Sequence, residues 1–573
     1  MSEKIISPGV FQNESDQSLV QRGIAGTATA IVGPTVSGRP FVPTYVTSYS
    51  EFQQNFGTTF RSGSYYYEYL TSIAAREFFQ NGGQTLLVTR VISGTSNVAN
   101  YASASVGNYN LTGSSFGLET LAWGNQMNNT SSLSGGALAS GSAINVRYEI
   151  TNVNTGSGTF NLAIRRGDDN NAQPNYLETW PNLSLDPNLP NYIARVVGDT
   201  KPVYSVDSDS NPYINITGSF ANSSQYVRIS FVSNPQVDSI DNNGYYKSGS
   251  YSSGLPVLGS GSFGGSFAGG AAATTAEQKM NEYITPSNME GYAVADYNTA
   301  FALLTNKDEY QFNVLLAPAV GLDSAAATTF ISTVEGRGDA FAPISAGAYG
   351  TSVNQSTFNA AGQSSNYSAC YFPWVQLFNS NLGKNVWCPP TTVIGGVLAF
   401  NDQVGAEWFA PAGLNRGGVP SVLRAERKLS QADRDVLYAA NVNPLATFPG
   451  EGVVVFGQKT LQRRATSLDR VNVRRLLIAL KAYIGSVSNN LVFEQNTNAT
   501  RNRFLAQVNP YMESVVQRQG LYAYKVVMDD TNNTADVIDR NQLVGQIYVQ
   551  PTKTAEFIIL NFNILPTGAT FPA

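Results

Sequence analysis

Two adjacent carboxylate pairs, Asp168-Asp169 and Asp529-Asp530, are the residues best equipped for acid–base work in this sequence. Glycoside hydrolysis needs two carboxylates facing each other across a cleft, one with a raised pKa. Both pairs here sit in Asn- and Gly-rich text that reads as turn, where carboxylates are solvated and close a strand. A pair assembled from residues distant in the chain would leave no sequence signature. The chain has no histidine. That excludes Ser-His and Cys-His nucleophile arrangements and every zinc site that uses imidazole. Cys370 and Cys388 are the two cysteines. They are too few for a closed zinc site and read as small apolar residues. Such sparse thiols in a long chain suit a reducing compartment.

Four short motifs invite a ligand and fail on inspection. Gly259, Gly261 and Gly264 in "GSGSFG" have dinucleotide-loop spacing, but no strand leads in and no helix follows. "FGQKT", Phe456 to Thr460, echoes a phosphate loop without its upstream glycine spacing. "DSDSNP" places Asp207, Asp209 and Asn211 like a calcium loop, yet has Pro212 where glycine is needed and Gly218 where a bidentate glutamate belongs. A turn is the expectation there. "RGD", Arg337 to Asp339, follows a helical pattern and reads as its stop. The sequence therefore predicts no catalytic residue, no cofactor and no metal.

The elements that would position any site are numerous. A chain of 573 residues exceeds a single core, so three or four domains are expected. The net charge is −5 and only 13% of residues are charged, which argues against nucleic acid as a partner. The neutral polar surface suits large interfaces. "MSEKIISPGV" lacks the apolar run of a signal peptide. No apolar stretch of about 18 residues exists, so no membrane insertion is expected.

Residues 1–20 read as an extended arm, with Ile5, Ile6, Val10 and Phe11 as its apolar positions. Residues 21–94 alternate strand and helix: a strand at Thr27–Val32, a Ser48- or Ser50-capped helix ending before Gly57, and a helix in "YYYEYLTSIAAREFFQNGG". A buried strand follows at Thr85–Ile92. Residues 95–275 carry short alternating runs between Ser, Gly and Asn clusters, as in a β-rich insertion. The α/β pattern resumes over 276–417, with a strand at Phe312–Leu316, so the insertion interrupts one α/β domain. Residues 418–553 form an α+β domain. Its helix from Asp469 shows Val473, Leu476, Leu477, Leu480 and Ile484 on one face. The next helix is expected to break or kink at Pro510. The fold class is a multidomain α+β / α/β protein.

Residues 554–573 form a second arm. In "EFIILNFNIL", Ile558, Leu560, Phe562 and Ile564 share one face, with Phe557 on the other. Left as a free edge, such a strand would aggregate, so it must be paired. Pairing within its own domain is the ordinary outcome. Two apolar extended ends on one neutral chain favour the alternative, strand addition to another subunit.

The order of blocks along the chain resembles the contractile tail sheath proteins of myovirus-type bacteriophages. The similar blocks include "SPGVFQNE", "GIAGTATAIVGPTVSGRPFVPTYVTSYSEFQQNFG" and "FFQNGGQTLLVTRV". Towards the C-terminus they include "NPLATFPGEGVVVFGQKTLQ", "LDRVNVRRLLIALK" and "LVFEQNTNATRNRF". The resemblance covers about residues 1–92 and 285–573 and touches the insertion only loosely.

It implies a non-enzymatic subunit that polymerises as six-fold rings in a helical sleeve around a tail tube. Contraction of the sleeve drives the tube through a host envelope. Expected partners are further copies of the chain, the tube protein, and baseplate and terminator proteins at the ends. The location implied is the virion tail, assembled in the host cytoplasm. The terminal arms would exchange strands between subunits, and the insertion would decorate the outside. Arg470, Arg474, Arg475 and Lys481, on or beside one face of the helix from Asp469, are expected to meet an acidic tube surface. The sheath of a tailocin or secretion system fits the same text. A surface-layer protein would need an export signal, and a tail-borne hydrolase would need a carboxylate cleft.

Overall fold

The computed structural model describes residues 28–62, 65–92, 100–108, 113–129, 132–233, 254–258, 265–271 and 284–556, together with 235, 241, 243 and 245. Its centre is a layer of mostly parallel strands. Ala28–Gly33 lies between Phe312–Leu316 and Leu86–Arg90, parallel to both, and Thr44–Val46 closes the edge antiparallel. A second sheet runs in the order Ala342–Ser345, Ser368–Phe372, Val442–Phe448 and Gly452–Val455. The two sheets meet edge to edge, where Phe341 N–H donates to Asn313 O (2.9 Å) and Leu315 N–H to Phe341 O (2.9 Å). Every residue of Leu86–Arg90 and Ser368–Phe372 is buried. Strands covered on both faces read as continuous runs rather than alternation.

Helices cover this layer. Ser48 caps Tyr49–Phe56 by accepting from Glu51 N–H (3.1 Å), and the helix ends at Gly57 with φ 66°. The helix Thr391–Val404 packs against both sheet and helix through glycine. A Cβ on Gly395 would lie 2.6 Å from Leu316 Cδ1, and one on Gly396 2.9 Å from the Glu77 carbonyl.

Three expectations are corrected here. The tyrosine run Tyr65–Glu68 is a strand paired with Thr59–Ser62, and the helix begins only at Leu70. Aromatic residues favour strand pairing, and Glu290, distant in sequence, supplies the helix cap by accepting from Leu70 N–H (2.8 Å). Val442–Phe448 and Gly452–Val455 belong to the central layer, since Cys370 pairs with Val442. The boundary expected between 417 and 418 therefore cuts a sheet. The helix Asn498–Gln517 continues through Pro510, so the break expected as one alternative there does not occur. In the turn where proline disturbs the ladder, the Tyr483 hydroxyl donates to Gln507 O (3.3 Å).

The described residues between 100 and 271 build a separate antiparallel body. Val227–Val232, Ser114–Trp123 and Tyr101–Gly107 form one sheet. Val146–Asn154, Thr159–Arg166 and Tyr176–Ser184 form another. Their shared core includes Phe116 stacked on Phe160 with centroids 5.7 Å apart. The chain enters and leaves this body side by side: Asn100 N–H donates to Ala271 O (2.9 Å) and Ser103 N–H to Ala268 O (2.8 Å).

A third apolar core lies towards the C-terminus, between the helices Val471–Asn489 and Asn498–Gln517 and the ribbon Leu521–Val527/Gln546–Pro551. The first of these helices serves two cores. Leu476, Leu480 and Val487 enter the C-terminal one, while Val471 and Ile478 enter the large central one. The protein is thus a mixed helix–strand molecule with several cores.

Candidate strand-acceptor site and arm root

Leu521–Val527 and Gln546–Pro551 form a two-stranded antiparallel ribbon. Among the described residues, neither outer edge has a strand partner. Tyr524, Val526, Ile547 and Val549 turn one face onto the C-terminal core, each only partly covered. Tyr522 and Tyr548 remain exposed. The sequence alternates because one face is packed and the other wet. The loop joining the strands is fixed by Asn533. Its amide donates to Val544 O (2.9 Å), and its Oδ1 accepts from Val544 N–H (2.8 Å). At the other end, Thr552 N–H donates to Gly520 O (3.2 Å). Edges unpaired among the described residues leave main-chain donors and acceptors with which a further strand can pair.

The chain leaves this ribbon through a polar clamp. The Glu556 carboxylate accepts from Arg470 Nε (2.7 Å) and Nη2 (3.0 Å), from the Tyr438 hydroxyl (2.7 Å) and from Gln458 Nε2 (3.0 Å). Gln458 also donates to Thr554 Oγ1 (2.5 Å). Burial works to raise the Glu556 pKa, but the hydrogen bonds from Arg470, Tyr438 and Gln458 outweigh it and hold the carboxyl below its ordinary value. Tyr438, Gln458 and Glu556 were not singled out from the sequence. The available signal was an acid and an amide beside otherwise apolar strand text. "FGQKT" is thus part of this clamp, and Asn443 holds Lys459 N–H (2.7 Å) and O (2.8 Å) in place.

The four basic residues lie on or beside the helix that starts at Val471, and three of them are knitted into the chain. Arg470 pairs with Glu556 and with Asp469 (2.9 Å). Arg474 is buried against the Tyr367 ring, 4.0 Å from its centroid, and donates to Asn366 Oδ1 (2.7 Å). Arg475 is buried and grips Asp402 with two bonds of 2.8 and 2.5 Å. Burial alone would disfavour its charge; the Asp402 carboxylate outweighs that. Lys481 is exposed, and its Nζ reaches the Tyr367 hydroxyl (3.4 Å). Arg474 and Lys481 thus turn towards residues 366–367, while Arg470 and Arg475 turn to Glu556 and Asp402.

The remaining candidates are placed as follows. Ile5, Ile6, Val10, Phe11, Phe557, Ile558, Leu560, Phe562 and Ile564 lie outside the described residues. "DSDSNP" is a turn in which Asp207 accepts from Asp209 and Asn211 N–H. Arg337 and Asp339 pair with each other after the helix stop at Gly338. Asp169 departs from expectation: it is buried between Arg147 and Arg165 rather than solvated. Cys370 and Cys388 are buried free thiols, with burial pushing both pKa values up. Among the described residues, no group of three His, Cys, Asp or Glu is arranged to hold a metal. No helix among them is long and apolar enough to cross a membrane.

The chain matches the phage tail sheath protein central domain over residues 290–461 and the phage tail sheath C-terminal domain over 464–565. It is similar to the tail sheath protein of Vibrio phage KVP40, 42% identical over 188 residues, which is 33% of this chain and 28% of that one. It is 38% identical to the tail sheath protein of Enterobacteria phage T4 over 221 residues, 39% of this chain and 34% of that one. The matched stretch thus spans about a third of those relatives' length. In fold, it is similar to the sheath tail protein of Listeria innocua, with a TM-score of 0.52 at 11% identity over 92% of this chain and 96% of that one. Residues 290–461 and 464–565 of this chain thus match the central and C-terminal domains of phage tail sheath proteins.

Proposed function

We propose that this chain is the structural subunit of a contractile tail sheath, joined into a helical sleeve by strand exchange through its terminal arms. The observation that carries this is the Leu521–Val527/Gln546–Pro551 ribbon, neither edge of which has a strand partner among the described residues. It stands beside the clamped root of a terminal segment whose sequence, Phe557 to Leu565, is itself a strand pattern. Strand addition gives affinity through main-chain hydrogen bonds and tolerates rotation of the joined bodies. On this reading residues 1–20 and 554–573 are connector arms. The Ser- and Gly-rich body between 95 and 275 faces outward, and the C-terminal helices face the tube. Partners are other copies of the chain in six-fold rings, the tube protein, and baseplate and terminator proteins at the ends. The sleeve stores energy in its extended form, releases it on contraction and catalyses no reaction.

Electron microscopy of the full chain beside a chain ending at Glu556 tests this. Thr554 and Glu556 belong to the clamp, so the truncation keeps them. Hollow sleeves or rings from the full chain, and only monomers from the truncation, are expected. The same compact monomer from both would overturn the strand-exchange joint.

A further inference from the structure

A cleft of about 430 Å³ lies between the central layer and the antiparallel body. That is within the range of small-ligand sites, roughly 300–1,000 Å³, which favour such junctions. One side is the loop Thr35–Val42, the other residues 222–226. The loop is held rigidly. Arg90 Nη1 donates to Gly38 O (2.6 Å), Trp123 N–H donates to the same carbonyl (3.3 Å), and Phe41 N–H donates to Arg90 O (2.9 Å). Gly38 has φ 106°, a conformation glycine adopts freely, and a Cβ there would meet the Phe56 ring at 2.6 Å. The turn presents Arg39 to the cleft.

Arg39 is half-buried and, among the described residues, has no hydrogen-bond or ion-pair partner. Burial lowers its pKa, and no carboxylate offsets that. Glu178, bonded to the cleft wall, is already taken by the Ser224 hydroxyl (2.6 Å) and Gln225 N–H (2.8 Å). Glu119, in the smaller adjoining pocket, is paired with Arg228 and, at 3.9 Å, with Lys201. The junction therefore carries surplus positive charge. Ser223, Gln54 and Gln225, whose side chains carry neutral donors, line the same cleft. A partly desolvated guanidinium with no carboxylate partner among the described residues favours carboxylate or phosphate oxygens.

We propose that this cleft binds an oxyanion of the phosphate or carboxylate class, with Arg39 as its charged anchor and Ser223, Gln54 and Gln225 as neutral donors. The anion is either a small solute or an acidic side chain of a second copy.

The test is calorimetric titration of the full chain with inorganic phosphate, and separately with citrate, at ionic strength matched with chloride. About one equivalent of saturable uptake is expected. Arg39→Gln should weaken it at least tenfold, while Arg39→Lys should retain most of it. Thermal melts check that the variants are folded. Ser223→Glu, at an exposed position, places a carboxylate in the cleft and should abolish phosphate uptake without unfolding the chain. Absence of saturable uptake of either anion by the unaltered chain would overturn the proposal. So would uptake unchanged in folded Arg39→Gln, or in Ser223→Glu. The two sources separate on repeating the titration with assembled particles: a small-solute site still takes up phosphate, and a site filled by a neighbour's carboxylate does not.

Discussion

Replacing Glu556 by glutamine should loosen the root of the C-terminal arm while leaving the ribbon intact. The substitution keeps the shape and removes the charge. Of the four hydrogen bonds that Glu556 accepts, the two from Arg470 are charge-assisted on both sides. The Arg470 and Glu556 side chains are 25% and 17% exposed, so the pair lies between the surface and buried extremes. Exposed pairs contribute up to about 1 kcal/mol, and breaking a fully buried one costs about 3–5 kcal/mol. A loss of about 2 kcal/mol follows, or roughly a 30-fold rise in local opening.

Hydrogen exchange reads this directly. Amides of residues 552–556 should exchange roughly 30-fold faster in Glu556→Gln at pH 7, with those of Leu521–Val527 unchanged. The pH dependence carries the sign. A carboxyl whose folded pKa is depressed stabilises above its unfolded value, near 4.5, and loses that contribution as pH falls through the folded value. Protection in the unaltered chain should therefore drop on acidification below about pH 4.5, and the variant should not respond. Equal exchange in the two chains at pH 7, or a variant that still titrates, would refute the clamp.

Arg475→Ala leaves Asp402 without its partner and should destabilise denaturant unfolding by about 3 kcal/mol, whereas Lys481→Glu, at an exposed site, should change it by less than about 0.5 kcal/mol. Gly396→Val must displace the backbone at Glu77, and a loss of about 1–3 kcal/mol in the same assay is expected. Glu290 is fully buried, and burial pushes its pKa up to about 8. The folded state then binds a proton that the unfolded state has lost, so stability should fall between about pH 4.5 and 8 and level off above; Glu290→Gln should flatten that slope in melts across this range. Cys370 and Cys388 should resist a thiol reagent in the native chain and react only on unfolding, as followed by absorbance.

Strands covered on both faces were legible in the sequence. Phe312–Leu316 has the limits expected of it, and Leu86–Arg90 falls inside the expected Thr85–Ile92. The Ser48 cap and the Gly57 stop were legible for the same reason: each is a local rule carried by one residue. Most of the misses are long-range. The tyrosine run at 65–68 scores for either element, and pairing with Thr59–Ser62 decides it. Val442–Phe448 reads as an ordinary strand, and only its partner Ser368–Phe372 assigns it to the central layer. The arginines of the C-terminal helix read as a basic face, and the sequence does not name the internal groups that hold them. Their acceptors, Asn366 and Asp402, lie 108 and 73 residues away. The clamp was invisible in the same way, since Tyr438, Gln458 and Glu556 come together only by folding.

The helix Val471–Asn489 has a mechanical consequence. Sliding it out of register would expose Val471 and Ile478 on one side and Leu476, Leu480 and Val487 on the other. At about 1.5–3 kcal/mol per side chain, that is roughly 10 kcal/mol, comparable to the net stability of a whole domain. The Arg475–Asp402 pair adds to it. The helix is therefore a stiff axle and not a hinge, and thermal motion does not bend the subunit there. Tension applied to the C-terminal segment at Glu556 passes through Arg470, the residue that begins this axle, into both cores at once.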